Sequence, residues 1–128
     1  MRFLTIPAPV PLVDLFGTVL IEQTTGKPAT MSLKNFLLGR LTDPKFIAGK
    51  KGLEGSIIVL EAKQRIDKFS DEAGAIGELE DEEWRRLKDA AVEPDSDYNQ
   101  GEWPRIRHCV VPLIQAIVEA KTTPPASA

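Results

Sequence analysis

The sequence predicts a mainly α fold: a four-helix domain, its last helix kinked at Pro112, with a small N-terminal β-hairpin or strand and an extended N-terminal arm. Three observations carry this expectation. Apolar residues recur at helical spacing along four segments. Capping residues, glycine or proline bound each of them. Ahead of them, Pro7, Pro9 and Pro11 alternate with Ala8 and Val10, which disfavours helix there.

The arm is assigned to residues 1–17, a single mainly helical domain to 18–121, and a polar, proline-containing tail to 122–128. Phe3, Leu4, Ile6 and Val10 make the arm too apolar for a solvated linker, so it needs a surface, either its own domain's or a neighbour's. Residues 18–23 (TVLIEQ) are rich in β-branched side chains and read as a strand, followed by a turn at 24–28. Its hairpin partner is either 10–15 or 29–31.

The first helix begins near Ser32, with Thr30 or Ser32 as N-cap, and Leu33, Phe36, Leu37 and Leu41 form one face. Asp43-Pro44 ends it. A loose basic linker holds Gly49, Lys50, Lys51, Gly52 and Gly55. The second helix runs from Leu53 or Ser56 to Phe69. Its run Ile57-Ile58-Val59-Leu60 reads as buried on more than one side, after which the apolar face narrows to Ala62, Ile66 and Phe69. Gly74 and Gly77 mark a loop. The third helix, about 80–92, opens on four acids that suit the positive end of the helix dipole. Leu79 and Trp84 are spaced as a staple around Glu80, and Pro94 stops the helix. The fourth opens at Pro104. Pro112 removes a donor inside it, predicting a kink or two helices meeting.

Composition narrows the function classes. Of the 128 residues, 42% are hydrophobic and 27% charged, ordinary for one soluble domain, and the net charge of -3 disfavours general attraction to nucleic acid or anionic membrane. The stretch from Phe3 to Ile21 is broken by three prolines and Asp14, so neither a signal peptide nor a membrane span is expected. The lone Cys109 fits a reducing compartment, and with the lone His108 it cannot complete a four-ligand zinc site within one chain. On a helix the two side chains diverge by about 100° and do not face each other, and Cys109 reads as a buried structural thiol. Phosphate-loop, dinucleotide and nucleophile-elbow motifs are absent. The acids near 78–83 form one solvated cluster rather than the contrasting pair that glycosidic chemistry needs. Residues 95–106 depart from a calcium loop at Gln100 and Ile106. No catalytic residue, cofactor or metal ligand is expected.

Charge is segregated along the chain. Residues 27–68 hold nine Lys/Arg and four acids, whereas residues 70–102 hold twelve acids and three bases. Solvated faces are the ordinary reading. The functional one is docking of the basic half of one copy on the acidic half of the next, with Lys50, Lys51 and Glu82 taking part. Tyr98 and Trp103, set among polar residues, are candidate interface anchors beside the arm residues Phe3, Leu4, Ile6 and Val10.

The stretches TMSLKNFLLGRLTDPKF, EAKQRIDKF, ELEDEEWRRLKDAAVEP and WPRIRHCVVPLIQAIVEA, just under half of the chain, resemble in order and pattern small proteins encoded among the structural and assembly genes of tailed bacteriophages and prophages. The resemblance implies a non-catalytic structural or assembly protein that contacts other protein subunits as a homo-oligomer or within a particle, located in a virion or host cytoplasm. The rival expectations are a regulatory protein that inhibits a host factor, and a nucleic-acid binder using residues 27–68.

Overall fold

The computed structural model describes residues 1–47, 49–93 and 103–124. The four-helix expectation is overturned: the architecture is mixed α/β, with two small antiparallel sheets among the helices. The elements are β1 (Arg2–Thr5), β2 (Val10–Pro11), β3 (Thr30–Met31), α1 (Leu33–Arg40), α2 (Pro44–Ile47), α3 (Gly52–Ile66), β4 (Ile76–Leu79), α4 (Asp81–Val92), α5 (Trp103–Ile106), a 3-10 turn (Arg107–Val110) and α6 (Val111–Val118).

The correction begins at the N-terminus. What reads as an arm is a strand of the domain itself. β1 pairs antiparallel with β4, in the register Arg2↔Leu79, Phe3↔Glu78, Leu4↔Gly77 and Thr5↔Ile76. On its other edge, Phe3 and Lys121 exchange two backbone hydrogen bonds of 2.9 Å. Ile6 continues the ladder, donating to the Ala75 carbonyl and accepting from the Gly74 amide, both at 2.8 Å. Proline is tolerated because it begins only after this ladder has ended. Leu4, Ile6 and Val10 join the central core with Phe36, Leu37, Leu79 and Leu113. The surface that this segment requires is therefore its own chain's.

β4 escapes sequence reading because its glycines look like loop punctuation. Gly77 has a packing role instead: a Cβ there would lie 2.4 Å from Cε2 of Phe69, so only glycine lets the strand approach that ring. β2 and β3 pair Val10↔Met31 and Pro11↔Thr30, which joins the two candidate partner segments to each other. The strand expected over 18–23 reduces to isolated bridges, Val13↔Val19 and Ile21↔Pro28.

Ser32 caps α1, its hydroxyl accepting the Asn35 amide at 3.2 Å, and the face made by Leu33, Phe36, Leu37 and Leu41 is buried. Pro44 starts α2 after a corner held by the buried pair Arg40–Asp43, 3.7 Å apart. α4 begins as expected, with the Glu83 carboxylate accepting the Glu80 amide at 2.9 Å and Leu79 and Trp84 both buried. Indole Nε1 of Trp84 donates to the Ile117 carbonyl at 2.7 Å, locking α6 onto α4. The fourth expected helix is two helices meeting across the 3-10 turn. Pro112 lies in the first turn of α6, and the His108 carbonyl accepts from Val111. No described helix is long and apolar enough to cross a membrane.

α3 corrects a second expectation. Its buried residues are Gly55, Ala62 and Ile66, whereas Leu53, Ile57 and Leu60 are 76%, 44% and 53% exposed. The helix packs on α1, α2 and β4 from one side only. Within the run, Ile58 and Val59 pack against the core while Ile57 and Leu60 face outward.

Because β1 is core, Leu4→Ala is expected to lower unfolding free energy by about 2–5 kcal/mol in denaturant titration. Deleting residues 1–16 is expected to abolish the cooperative transition. A truncated chain with native near-UV dichroism would contradict this placement of the strand.

Candidate functional site

The outward side of α3 borders a groove of about 680 Å³, walled by the α1–α2 corner and lined by Leu41, Pro44, Ile47, Val59 and Leu60. Local sequence explains its shape. Asp43 accepts the Lys45 amide at 2.9 Å, which fixes the first turn of α2. Gly55 faces the groove without a side chain, and a Cβ there would stand 3.1 Å from the Lys50 carbonyl oxygen, so glycine sets how closely the approach to α3 is drawn in. Lys50, Lys51 and Lys63 stand around the lining. Lys50 pairs with Glu54 at 3.2 Å and Lys63 with Asp67 at 2.7 Å, both on the exposed helix surface, where such pairs hold side chains loosely. Lys51 has no ion-pair partner among the described residues. The groove is thus an apolar slot with a cationic rim, open to solvent and continuous with exposed Leu53 and Ile57. Such a surface suits binding by burial of apolar groups, with charge setting orientation.

A second uncovered apolar feature lies on the hairpin between β2 and β3. Leu15 and Phe16 are 66% and 92% exposed at its first turn. The turn is nevertheless tied by local hydrogen bonds. Oδ1 of Asp14 accepts the amides of Phe16 at 2.8 Å and Thr18 at 2.9 Å, and Gly17 adopts φ +87°, a region that favours glycine. The Thr18 amide, with smaller help from the Phe16 amide and the positive Arg105, holds the Asp14 carboxyl below its ordinary value of 3.8.

The residues expected to act together are dispersed. Leu4, Ile6 and Val10 are interior, and Phe3 is half-buried between β4 and Lys121. Lys50 and Lys51 reach the groove. Glu82 does not line it. It sits on the first turn of α4, paired with Arg85 and Arg86, and the hydrogen bond from Arg85 holds its carboxyl below the usual range. Tyr98 and the Trp103 side chain lie outside the described residues. The opposed charge halves meet in part inside one chain, through Arg65 with Glu80 and Glu83 and Lys45 with Glu93.

His108 and Cys109, expected to point apart, do approach each other: Nε2 lies 3.5 Å from Sγ, the exposed imidazole turning back beside the sulfur. The thiol donates to the Val13 carbonyl at 3.0 Å and accepts the Val13 amide at 3.4 Å, which fastens the hairpin to the 3-10 turn. Among the described residues, no group of three or more His, Cys, Asp or Glu is placed to share a metal ion.

Sequence reasoning missed Leu53, Ile57 and Leu60 as surface residues. A four-residue apolar run carries no mark that distinguishes a buried helix from an uncovered one. The available signal was the small amount of chain left to cover a second side. Comparison of the chain with protein-family models, with curated proteins and with solved structures returns no match.

The hairpin turn yields a pH prediction. A carboxyl lowered on folding contributes stability that is present above its unfolded pKa and lost as pH falls through the folded one. The Phe16 and Thr18 amide resonances are therefore expected to titrate with a midpoint below 3.8, and the turn to loosen only beneath it. A midpoint above that value would show that Asp14 does not hold the turn.

Proposed function

We propose that this chain is a non-catalytic structural or assembly protein of a phage particle or similar complex, working by contact with other protein subunits. The observation that carries the reading is the apolar outer face of α3 beside the lysine-rimmed groove. Exposed apolar area continuous with a concave slot is costly in water and is relieved by association. Leu4, Ile6 and Val10 do not support the reading, because they are buried within the chain's own core. The phage setting rests on the patterned resemblance of the helical stretches.

Leu60 offers a clean test, since it lines the groove yet contributes little to the core. Leu60→Glu is expected to melt within ~3 °C of the wild type, as surface changes usually alter stability by less than ~0.5 kcal/mol. Expressed with the neighbouring structural genes, the wild-type chain is expected in purified particles or assembly intermediates, and the variant is expected to be depleted from them at least tenfold. Absence of the wild-type chain from both fractions, or undiminished incorporation of the variant, contradicts the proposal.

A further inference from the structure

The same chain displays an uncovered apolar slot and an uncovered apolar knob. Resting on the reading of the groove as a protein-binding surface, we propose that its occupant is a second copy of this chain, inserting the Leu15-Phe16 turn between α3 and the α1–α2 corner. Three features fit the two parts together. The first is preorganisation. The turn is held by hydrogen bonds that the Phe16 and Thr18 amides donate to Asp14 and by left-handed Gly17, so seating Phe16 costs little backbone entropy. The second is charge. Residues 3–26 contain two acids, Asp14 and Glu22, and no lysine or arginine, with Arg105 the cation near Asp14; of the groove-rim lysines, Lys50 and Lys63 are matched by Glu54 and Asp67, and Lys51 is left to meet the knob. The acid within the groove lining, Asp43, is buried and paired with Arg40, so it does not oppose an acidic knob. The third is the aromatic anchor, which buries about 150–250 Å² when fully covered. One such contact is small beside the ~1,600 Å² of a standard interface. A single contact is therefore weak, and it strengthens when repeated around a closed or growing assembly.

Knob and slot are different surfaces, so the contact leaves one of each unused on every pair. It closes by a twofold in which two contacts form reciprocally, or it propagates from copy to copy. Lys51 and Asp14 then lie on opposite partners, giving an association that weakens with salt.

The experiment is sedimentation velocity on the full chain, on Phe16→Ser and on Leu60→Glu, each alone and as an equimolar mixture, from ~10 µM to ~1 mM, a range suited to weak contacts. Both positions are exposed, and equal melting temperatures establish that both variants fold. The wild type is expected to rise above its monomer mass of 14.1 kDa with concentration. Each variant alone is expected to remain monomeric. The mixture is expected to form a species of two chains and nothing larger, because the intact slot of Phe16→Ser receives the intact knob of Leu60→Glu. A monomeric wild type overturns the proposal, as does a mixture that stays monomeric. If Leu60→Glu blocks self-association while Phe16→Ser leaves it unchanged, the second-copy knob is overturned and the groove survives as an interface for another segment. If Leu60→Glu self-associates like the wild type, the groove itself is not the contact.

Discussion

Residues 2–6 hold the molecule together by pairing on both edges. β4 lies on one side of β1 and Lys121 on the other, so the strand ties the segment after α3 to the end of α6. The strand satisfies its backbone groups along β4 and, at Phe3, against Lys121, and it also inserts Leu4 and Ile6 into the core. α4 and α6 are then clamped across it by the Trp84–Ile117 hydrogen bond, with the Arg2 guanidinium 3.9 Å from the Trp84 ring centroid on the face of the indole. The remaining packing follows from this tie. With Leu4, Ile6 and Val10 consumed by the core, the outward side of α3 and the Leu15-Phe16 turn are left among the apolar surface that the described chain does not cover.

The electrostatics follow the same economy. Segregated charge in a linear sequence looks like a means of joining two copies. Folding brings Arg65 against the start of α4 and Lys45 against its end, so part of the segregation is neutralised locally. Beside the groove, Lys50 and Lys63 are matched by Glu54 and Asp67 on their own helix, and Lys51 stands apart from those pairs. Charge therefore orients a contact whose driving force is apolar burial.

The helices were legible because their signals are local. Ser32 as N-cap, the Leu33–Leu41 face, the staple around Glu80 and the interruption near Pro112 each depend on residues within a turn or two of one another. The sheets were not, because a four-residue strand such as β4 is stabilised by a partner more than seventy residues away, and its glycine answers to the Phe69 ring rather than to a turn. The same distance dependence hid the site. Whether Ile57 and Leu60 are core or surface is decided by how many layers the rest of the chain supplies, which no window of sequence contains. Lys50 and Lys51 were visible as a basic pair, but the slot beside them was not.

Backbone amide exchange at low and high protein concentration tests most directly the division between a core closed within one chain and an apolar face completed by another. Amides of β1 and β4 are expected to be equally protected at every concentration, while those of residues 52–60 and 14–18 are expected to become more protected as concentration rises. Protection of β1 and β4 that grows with concentration would mean that the N-terminal strand is exchanged between copies. Unchanged protection on α3 and the hairpin would mean that neither surface is an interface between copies of this chain.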